Sequence, residues 1–283
     1  MFDTFKNRLE ITGTLTTVTA LRISKGRSTE PIGSDLPVIK DALGRPLIPG
    51  SSFKGALRSR LESFLRGIDP NRAEDPANYT SSTRNNQVKD LKVKYKNDDL
   101  NLTQELIDLT DDIGSLFGTP WMASKFQVRD LTVQPDAWFG QYQERDGVAI
   151  DRDTETAADG KLYDYQVVPA ATPFDFKAVV ENAQDWELGL LMIGLHQFET
   201  EQIPLGGGRS RGLGVVKLEI DKMRWIDVED HPEFLLEYLK KLVMGYDTAY
   251  EDAADYKDEW VQKLIDRLTP KQTKSSETLT QTH

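Results

Sequence analysis

The sequence predicts an α+β fold with the core order β-α-β-β-α-β, carrying a long hairpin insertion and C-terminal helices. Three observations carry that prediction. β-Branched runs with rough alternation open and close the core, at "RLEITGTLTTVTALRI" and "GLGVVKLEI". Two helical stretches separate further strands, one amphipathic from Ser51 and one almost wholly apolar, "DWELGLLMIGLHQFE". The segments that fit neither pattern are polar and fall between these elements, where insertions belong.

In chain order, residues 8–23 read as the first long strand. A polar loop covers 24–34, and "LPVIKD" reads as a short apolar strand. "ALGRPLIPG" is a turn region punctuated by Gly44, Pro46, Pro49 and Gly50. Phe53, Leu57, Leu61, Phe64 and Leu65 then share one helical stripe, with Lys54, Arg58 and Arg60 outside it and Ser51 or Ser52 available as N-cap. Residues 67–112 read as an insertion, and its polar part, 69–99, is expected to be mobile or only partly ordered. A helix is expected from Thr103, and "KFQVRDLTVQ" alternates as a strand. Residues 140–172 form an extended hairpin with its turn at "TAADGK". "FDFKAVVEN" is the next strand, Asp185 the expected N-cap of the apolar helix, and helices at 232–244 and 253–268 follow the last core strand. Residues 270–283 read as a disordered tail. Without its insertions this order is the ferredoxin-like arrangement, which RNA-recognition modules also use.

Composition narrows the chemistry. Zero cysteines remove disulfides, thiolate metal sites and a Cys nucleophile. The three histidines (His196, His231 and His283) have no metal-ligand spacing, which argues against zinc. No apolar run is long enough to cross a bilayer, and the start lacks a signal-peptide core, which points to the cytoplasm. A net charge of −11 argues at first against a phosphate-rich partner. The distribution offsets it: residues 36–66 carry six basic residues against two acids, and 205–217 carry three and none. Residues 221–264 carry twelve acids against six basic residues, so a basic face on an acidic chain is possible.

Two stretches draw attention. "PLGGGRSRGLGVV" interleaves Gly206, Gly207 and Gly208 with Arg209 and Arg211, so backbone N–H groups and guanidinium forks could meet a phosphate there. It lacks the Lys-Ser/Thr and following helix of a P-loop, and a flexible turn before a strand explains it equally well. Asp35 stands just before "LPVIKD" and the basic helix. A carboxylate there could hold a divalent cation or orient an RNA 2′-hydroxyl, whereas spacing alone favours a solvated or turn-capping Asp. Asp41 reads as a turn-former. The acids Asp151, Asp153, Glu155, Asp159 and Asp164 lack EF-hand spacing and read as a solvated hairpin edge.

In combination, "SDLPVIKDALGRPLIPGSSFKGALRSRLE", the central strand with its hairpin, and "IPLGGGRSRGLGVVKLEI" resemble the RAMP superfamily of CRISPR-associated proteins, specifically the repeated backbone subunit of type III effector complexes. The resemblance implies a modified RNA-recognition fold over 1–220 with a thumb hairpin at 140–172, then a helical extension over 221–269. It further implies a filament of this subunit or its paralogues with other effector subunits on a CRISPR guide RNA, in antiviral defence. Asp35 matches the family's cleavage position and would act with Mg2+ or another divalent metal on single-stranded target RNA. Lys40, Ser51, Ser52, Lys54, Arg58, Gly206, Gly207, Gly208, Arg209 and Arg211 would meet the RNA. Alternatives are a backbone subunit that binds without cutting, a standalone processing endonuclease for CRISPR RNA, and, remotely, a metabolic enzyme holding a small phosphate ligand.

Overall fold

The structure is a computed structural model that describes residues 4–24, 26, 34–147, 163–229 and 231–269. β1 (Asn7–Thr17) buries every second residue, including Leu9, Ile11 and Leu15, as the alternation requires. It ends six residues before the predicted limit. There the Val18 and Thr19 N–H groups both donate to the Val215 carbonyl, and pairing continues only as single bridges at Leu21 and Ser24. "LPVIKD" is likewise not a strand. It makes isolated bridges at Leu36, Val38 and Lys40, each to a different segment, and Pro37 has no N–H to extend a ladder. The short strand β2 (Leu47–Ile48) forms instead where turns were expected.

α1 (Gly50–Ile68) buries Phe53, Leu57, Leu61 and Leu65. Its first N–H is held from outside, because the Gly50 N–H donates to the Asp130 carboxylate at 2.8 Å. Ser51 and Ser52 therefore lie inside the first turn and are not caps. Phe64 leaves the predicted stripe and is exposed beneath the Arg60 guanidinium, 4.6 Å away. Glu62 is buried in its stead, because its carboxylate pairs with Arg58 at 2.8 Å and Arg66 at 3.2 Å.

The insertion expected to be only partly ordered is a run of short helices: α2 (Pro76–Tyr79), α3 (Ser82–Lys94), α4 (Asp99–Asp108) and α5 (Asp112–Phe117). Its polar residues are caps. Side chains of Asp75, Ser81, Asp98 and Asp111 accept N–H groups at the four helix starts. Buried Ala73 and Tyr79 anchor the run, with the Tyr79 hydroxyl donating to Asp111 at 2.9 Å. The single helix predicted from Thr103 is thus two, α4 and α5, separated by the Asp111 cap.

"KFQVRDLTVQ" splits into β3 (Phe126–Val128) and β4 (Leu131–Thr132), the latter paired with β2. β5 (Gln143–Gly147) and β6 (Tyr163–Val167) form the antiparallel hairpin, Gln143 opposite Val167 and Gly147 opposite Tyr163. The "TAADGK" turn and Asp151, Asp153, Glu155 and Asp159 lie outside the described residues. β7 (Pro173–Glu181) and α6 (Asp185–Glu199) follow. The α6 cap is Gln184 rather than Asp185, since the Glu187 carboxylate reaches back to the Gln184 N–H at 2.8 Å. His196 is an exposed residue of α6. β8 (Val216–Asp227) runs seven residues past the predicted boundary at 220, so the start of the extension belongs to the sheet. α7 (Pro232–Val243), β9 (Glu251–Asp252) and α8 (Lys257–Leu268) complete the described chain, and the predicted tail lies outside it.

The main sheet is antiparallel in the order β3-β7-β1-β8-β9. Its first four strands reproduce the ferredoxin-like arrangement, with the fourth core strand beside the first and the third between first and second. α1 and α6 cover it through Phe53, whose ring lies 5.0 Å from Phe176 of β7 and 4.3 Å from Phe198 of α6. α8 packs against α6 with Trp260 and Leu264 buried. That packing needs Gly189, where a Cβ would meet the Trp260 carbonyl oxygen at 2.1 Å.

Candidate nucleic-acid interface

The two faces of α1 differ in what surrounds them. Phe53, Leu57, Leu61 and Leu65 point to the sheet, so positions 51, 52, 55, 59 and 63 must lie off the core. There they border a groove of about 520 Å³, with Pro204, Gly206 and Arg209 on its other wall. The helix side is small and polar (Ser51, Ser52, Gly55, Ser59, Ser63), so a sugar-phosphate chain can approach without meeting bulk. Arg60 and Arg209 supply the positive charge of its lining.

The glycine-rich wall has a fixed shape. Gly206 and Gly208 have φ of +74° and +80°, and Arg209–Arg211 forms a single helical turn between Gly208 and Gly212. Gly206 also lies against the Arg22 carbonyl, 2.1 Å from where a Cβ would be, and the Gly207 N–H donates to that carbonyl at 2.8 Å. Gly207 thus anchors the loop, while the Gly206 and Gly208 N–H groups have no hydrogen-bond partner among the described residues. Arg211 is exposed, and its guanidinium donates to the Tyr163 hydroxyl at 3.1 Å, which ties this loop to the hairpin.

Asp35 stands at the same hairpin strand. Leu36 forms a parallel bridge with Tyr165, and the Gln166 N–H donates to the Leu36 carbonyl at 3.1 Å. The Asp35 N–H donates to Asp164 Oδ1 at 2.7 Å, and the Asp164 N–H donates to Asp35 Oδ2 at 3.4 Å. The Arg22 guanidinium lies over the Tyr165 ring at 4.7 Å. Strand β6 therefore joins the Asp35 loop to the glycine-rich loop, through Tyr165–Arg22 and Tyr163–Arg211. Segments more than a hundred residues apart in sequence share one surface.

Other sequence-predicted residues lie elsewhere. Lys54 points inward: its ammonium donates to Ser124 Oγ at 2.6 Å and the Phe126 carbonyl at 2.8 Å. Burial pushes its pKa down to about 8, with Arg58 adding repulsion. Arg58 donates to Glu62 at 2.8 Å and the Gly118 carbonyl at 3.1 Å, with its guanidinium 5.5 Å from the Tyr79 ring centre. Both bind α1 to the insertion and β3, and neither borders the groove. Lys40 is exposed, with its ammonium 4.3 Å above the Tyr142 ring. Asp41 is a turn-former: its carboxylate accepts the Arg45 and Leu43 N–H groups at 2.9 Å, the former first among the causes that lower its pKa.

Sequence reasoning missed Arg22, Ser59, Arg60, Ser63 and Tyr163 as members of this surface. The four-residue rhythm of small residues at 51, 55, 59 and 63, one turn apart on α1, was a usable signal. Arg22 had none, because its place depends on a distant hairpin. Among the described residues, no group of three His, Asp or Glu side chains is arranged to hold a metal. Asp35 Oδ1 has no described partner, and Mg2+ is commonly held by one or two carboxylates together with substrate phosphates, so the donor set fits an ion completed by RNA.

Comparison with known proteins places the chain in a family. A family model described as the RAMP superfamily matches residues 14–217, more than two thirds of the chain. The chain is similar to the CRISPR system Cms endoribonuclease Csm3 of Enterococcus italicus, 24% identical over 225 residues, covering 77% of this chain and 92% of that protein. It is 28% identical over 227 residues to the protein of that name from Methanocaldococcus jannaschii, covering 78% and 82%. A shorter stretch of 56 residues, 19% of this chain and 24% of the relative, is 50% identical to the Mycobacterium tuberculosis Csm3.

Proposed function

The chain belongs to the RAMP superfamily, and we propose that it is a guide-RNA-binding backbone subunit of a type III CRISPR effector complex that cuts complementary target RNA at Asp35. The observation that carries this reading is the position of Asp35 against strand β6 of the hairpin, the strand that also holds the glycine-rich loop. The relatives named as Csm3 endoribonucleases support the reaction class. The guide backbone lies along the groove between α1 and the glycine-rich loop, contacted by Ser51, Ser52, Arg60, Gly206, Gly208 and Arg209, with Arg211 and Lys40 at its borders. Lys54 and Arg58 brace the helix that presents it. These contacts are sequence-neutral, and base pairing with the guide selects the target.

The hairpin acts as a thumb that displaces a target nucleotide, freeing its 2′-hydroxyl to line up with the adjacent phosphate. The Asp35 carboxylate accepts a hydrogen bond from that hydroxyl. The 2′-oxygen bonds to phosphorus as the P–O5′ bond breaks, the hydroxyl proton passes to the Asp35 carboxylate, and water protonates the leaving 5′-oxygen. A divalent ion held by Asp35 and the RNA would supply charge neutralisation at the phosphate. Copies of this subunit, or paralogues, assemble with other effector subunits into a cytoplasmic filament on the guide. No described helix is long and apolar enough to cross a membrane.

Asp35→Ala in the reconstituted complex tests the reading, with complementary RNA and either magnesium or EDTA. Cleavage at this subunit's site should fall at least about 10²-fold with target binding retained. Unchanged cutting at this subunit's site would overturn the assignment of Asp35 as the cleavage residue.

A further inference from the structure

We propose that Asp164, on strand β6 of the hairpin, is a positioning residue that holds Asp35 in its cutting geometry; this rests on the reading of Asp35 as the cleavage residue. The two aspartates face each other across the Leu36–Tyr165 bridge. Each carboxylate accepts the backbone N–H of the other residue, at 2.7 Å for Asp35 N–H to Asp164 Oδ1 and 3.4 Å for Asp164 N–H to Asp35 Oδ2. Such a reciprocal exchange holds the backbone of one segment and the side chain of the other at once.

Besides this exchange, the segment is held one residue on, where the Leu36 carbonyl accepts the Gln166 N–H at 3.1 Å. Ser34, the preceding residue, is 7% exposed, yet its hydroxyl has no hydrogen-bond partner among the described residues. Beyond Leu36, the next backbone hydrogen bond along the loop is the Ile39 N–H to the Ile23 carbonyl, four residues after Asp35. Asp164 is also flanked by Tyr163 and Tyr165, which meet Arg211 and Arg22. Asp164 acts through Asp35 as a hydrogen-bond acceptor. The role requires its oxygen and not its charge, so asparagine should substitute for it.

The test compares Asp164→Ala, Asp164→Asn and Asp35→Ala in the reconstituted complex. Hydrogen exchange of the residue-35 amide and single-turnover cleavage are both measured. Asp164→Ala should speed exchange at that amide about tenfold and slow cleavage about ten- to hundredfold, with guide and target affinity unchanged. Asp164→Asn should restore both to within about threefold of the parent. The proposal is overturned if Asp164→Ala leaves exchange unaltered, if it weakens guide binding in parallel with cutting, or if Asp164→Asn is as impaired as Asp164→Ala. Asp35→Ala retains its amide, which should stay protected. If that variant still cuts, the catalytic reading falls while the exchange data decide separately whether Asp164 holds the loop.

Discussion

Two faces of one helix carry similar charges and do different work. On one, Lys54 and Arg58 spend their N–H groups on Ser124, the Phe126 carbonyl, Glu62 and the Gly118 carbonyl. On the other, Arg60 borders an open groove with Ser51, Ser52 and Ser59, facing Arg209. Counted along the chain these cations are equivalent, and a basic helix reads as an RNA face throughout. In three dimensions only the second set is available to a phosphate. Among the described residues, Arg60 and Arg209 each give only one N–H to the protein, to Gln197 at 3.4 Å and to the Gly206 carbonyl at 3.2 Å. A basic residue can be a ligand for RNA where its neighbours leave most of its N–H groups free.

The comparison breaks if reversing charge on the two faces has the same effect. Lys54→Glu sets a carboxylate against the Phe126 carbonyl and should cost about 3 kcal/mol of stability in urea denaturation. The Arg60→Ala, Arg209→Ala double variant should stay within about 0.5 kcal/mol of the parent in the same assay.

The groove wall sharpens the contrast next. Gly206→Ala drives a methyl into the Arg22 carbonyl at positive φ and should cost about 2 kcal/mol by thermal or urea unfolding. Gly207→Ala, where a Cβ has nothing within 4 Å, should cost less than about 0.5 kcal/mol. Equal costs would show that the loop is not held against Arg22.

A smaller effect concerns binding. The Arg60 and Arg209 double variant should weaken guide association about tenfold and lower the slope of log K against log salt by about two, measured by filter binding or fluorescence titration. An unchanged slope would remove these residues from the RNA face.

The smallest effect is the pH dependence of Lys54. Its folded pKa, about 8, lies below the ordinary lysine value of 10.5. The unfolded chain therefore binds more protons between these values, and stability rises with pH across that window. Relative to Lys54→Met, the parent should gain stability as pH climbs from about 8 to about 10, read as the shift in urea midpoint. A flat difference would mean that Lys54 is not desolvated.

Much of the fold was legible because it rests on local periodicity. Alternation in β1 and β7, the stripe of Phe53, Leu57, Leu61 and Leu65, and the apolar run of α6 each follow from which residues one element must bury. The insertion was misread because its Asp, Asn and Ser residues suit both disorder and helix caps, and only their spacing to the next N–H decides. Asp130 as the cap of α1 was out of reach, since its acceptor arrives from a strand eighty residues later. The prominence of Asp35, Arg209 and Arg211 came from residue type and order; their sharing of one surface did not.

The sequence by itself determined the order of core elements and the composition of the candidate surface: glycines and arginines in one loop, a carboxylate in another, small residues one turn apart on a helix. Only the tertiary structure decided which of these meet and which charges remain free. Periodicity records the burial demanded within a single element. Contacts such as Asp35 with Asp164, Arg22 with Tyr165 and Lys54 with Phe126 depend on how separate elements pack, which no local pattern encodes.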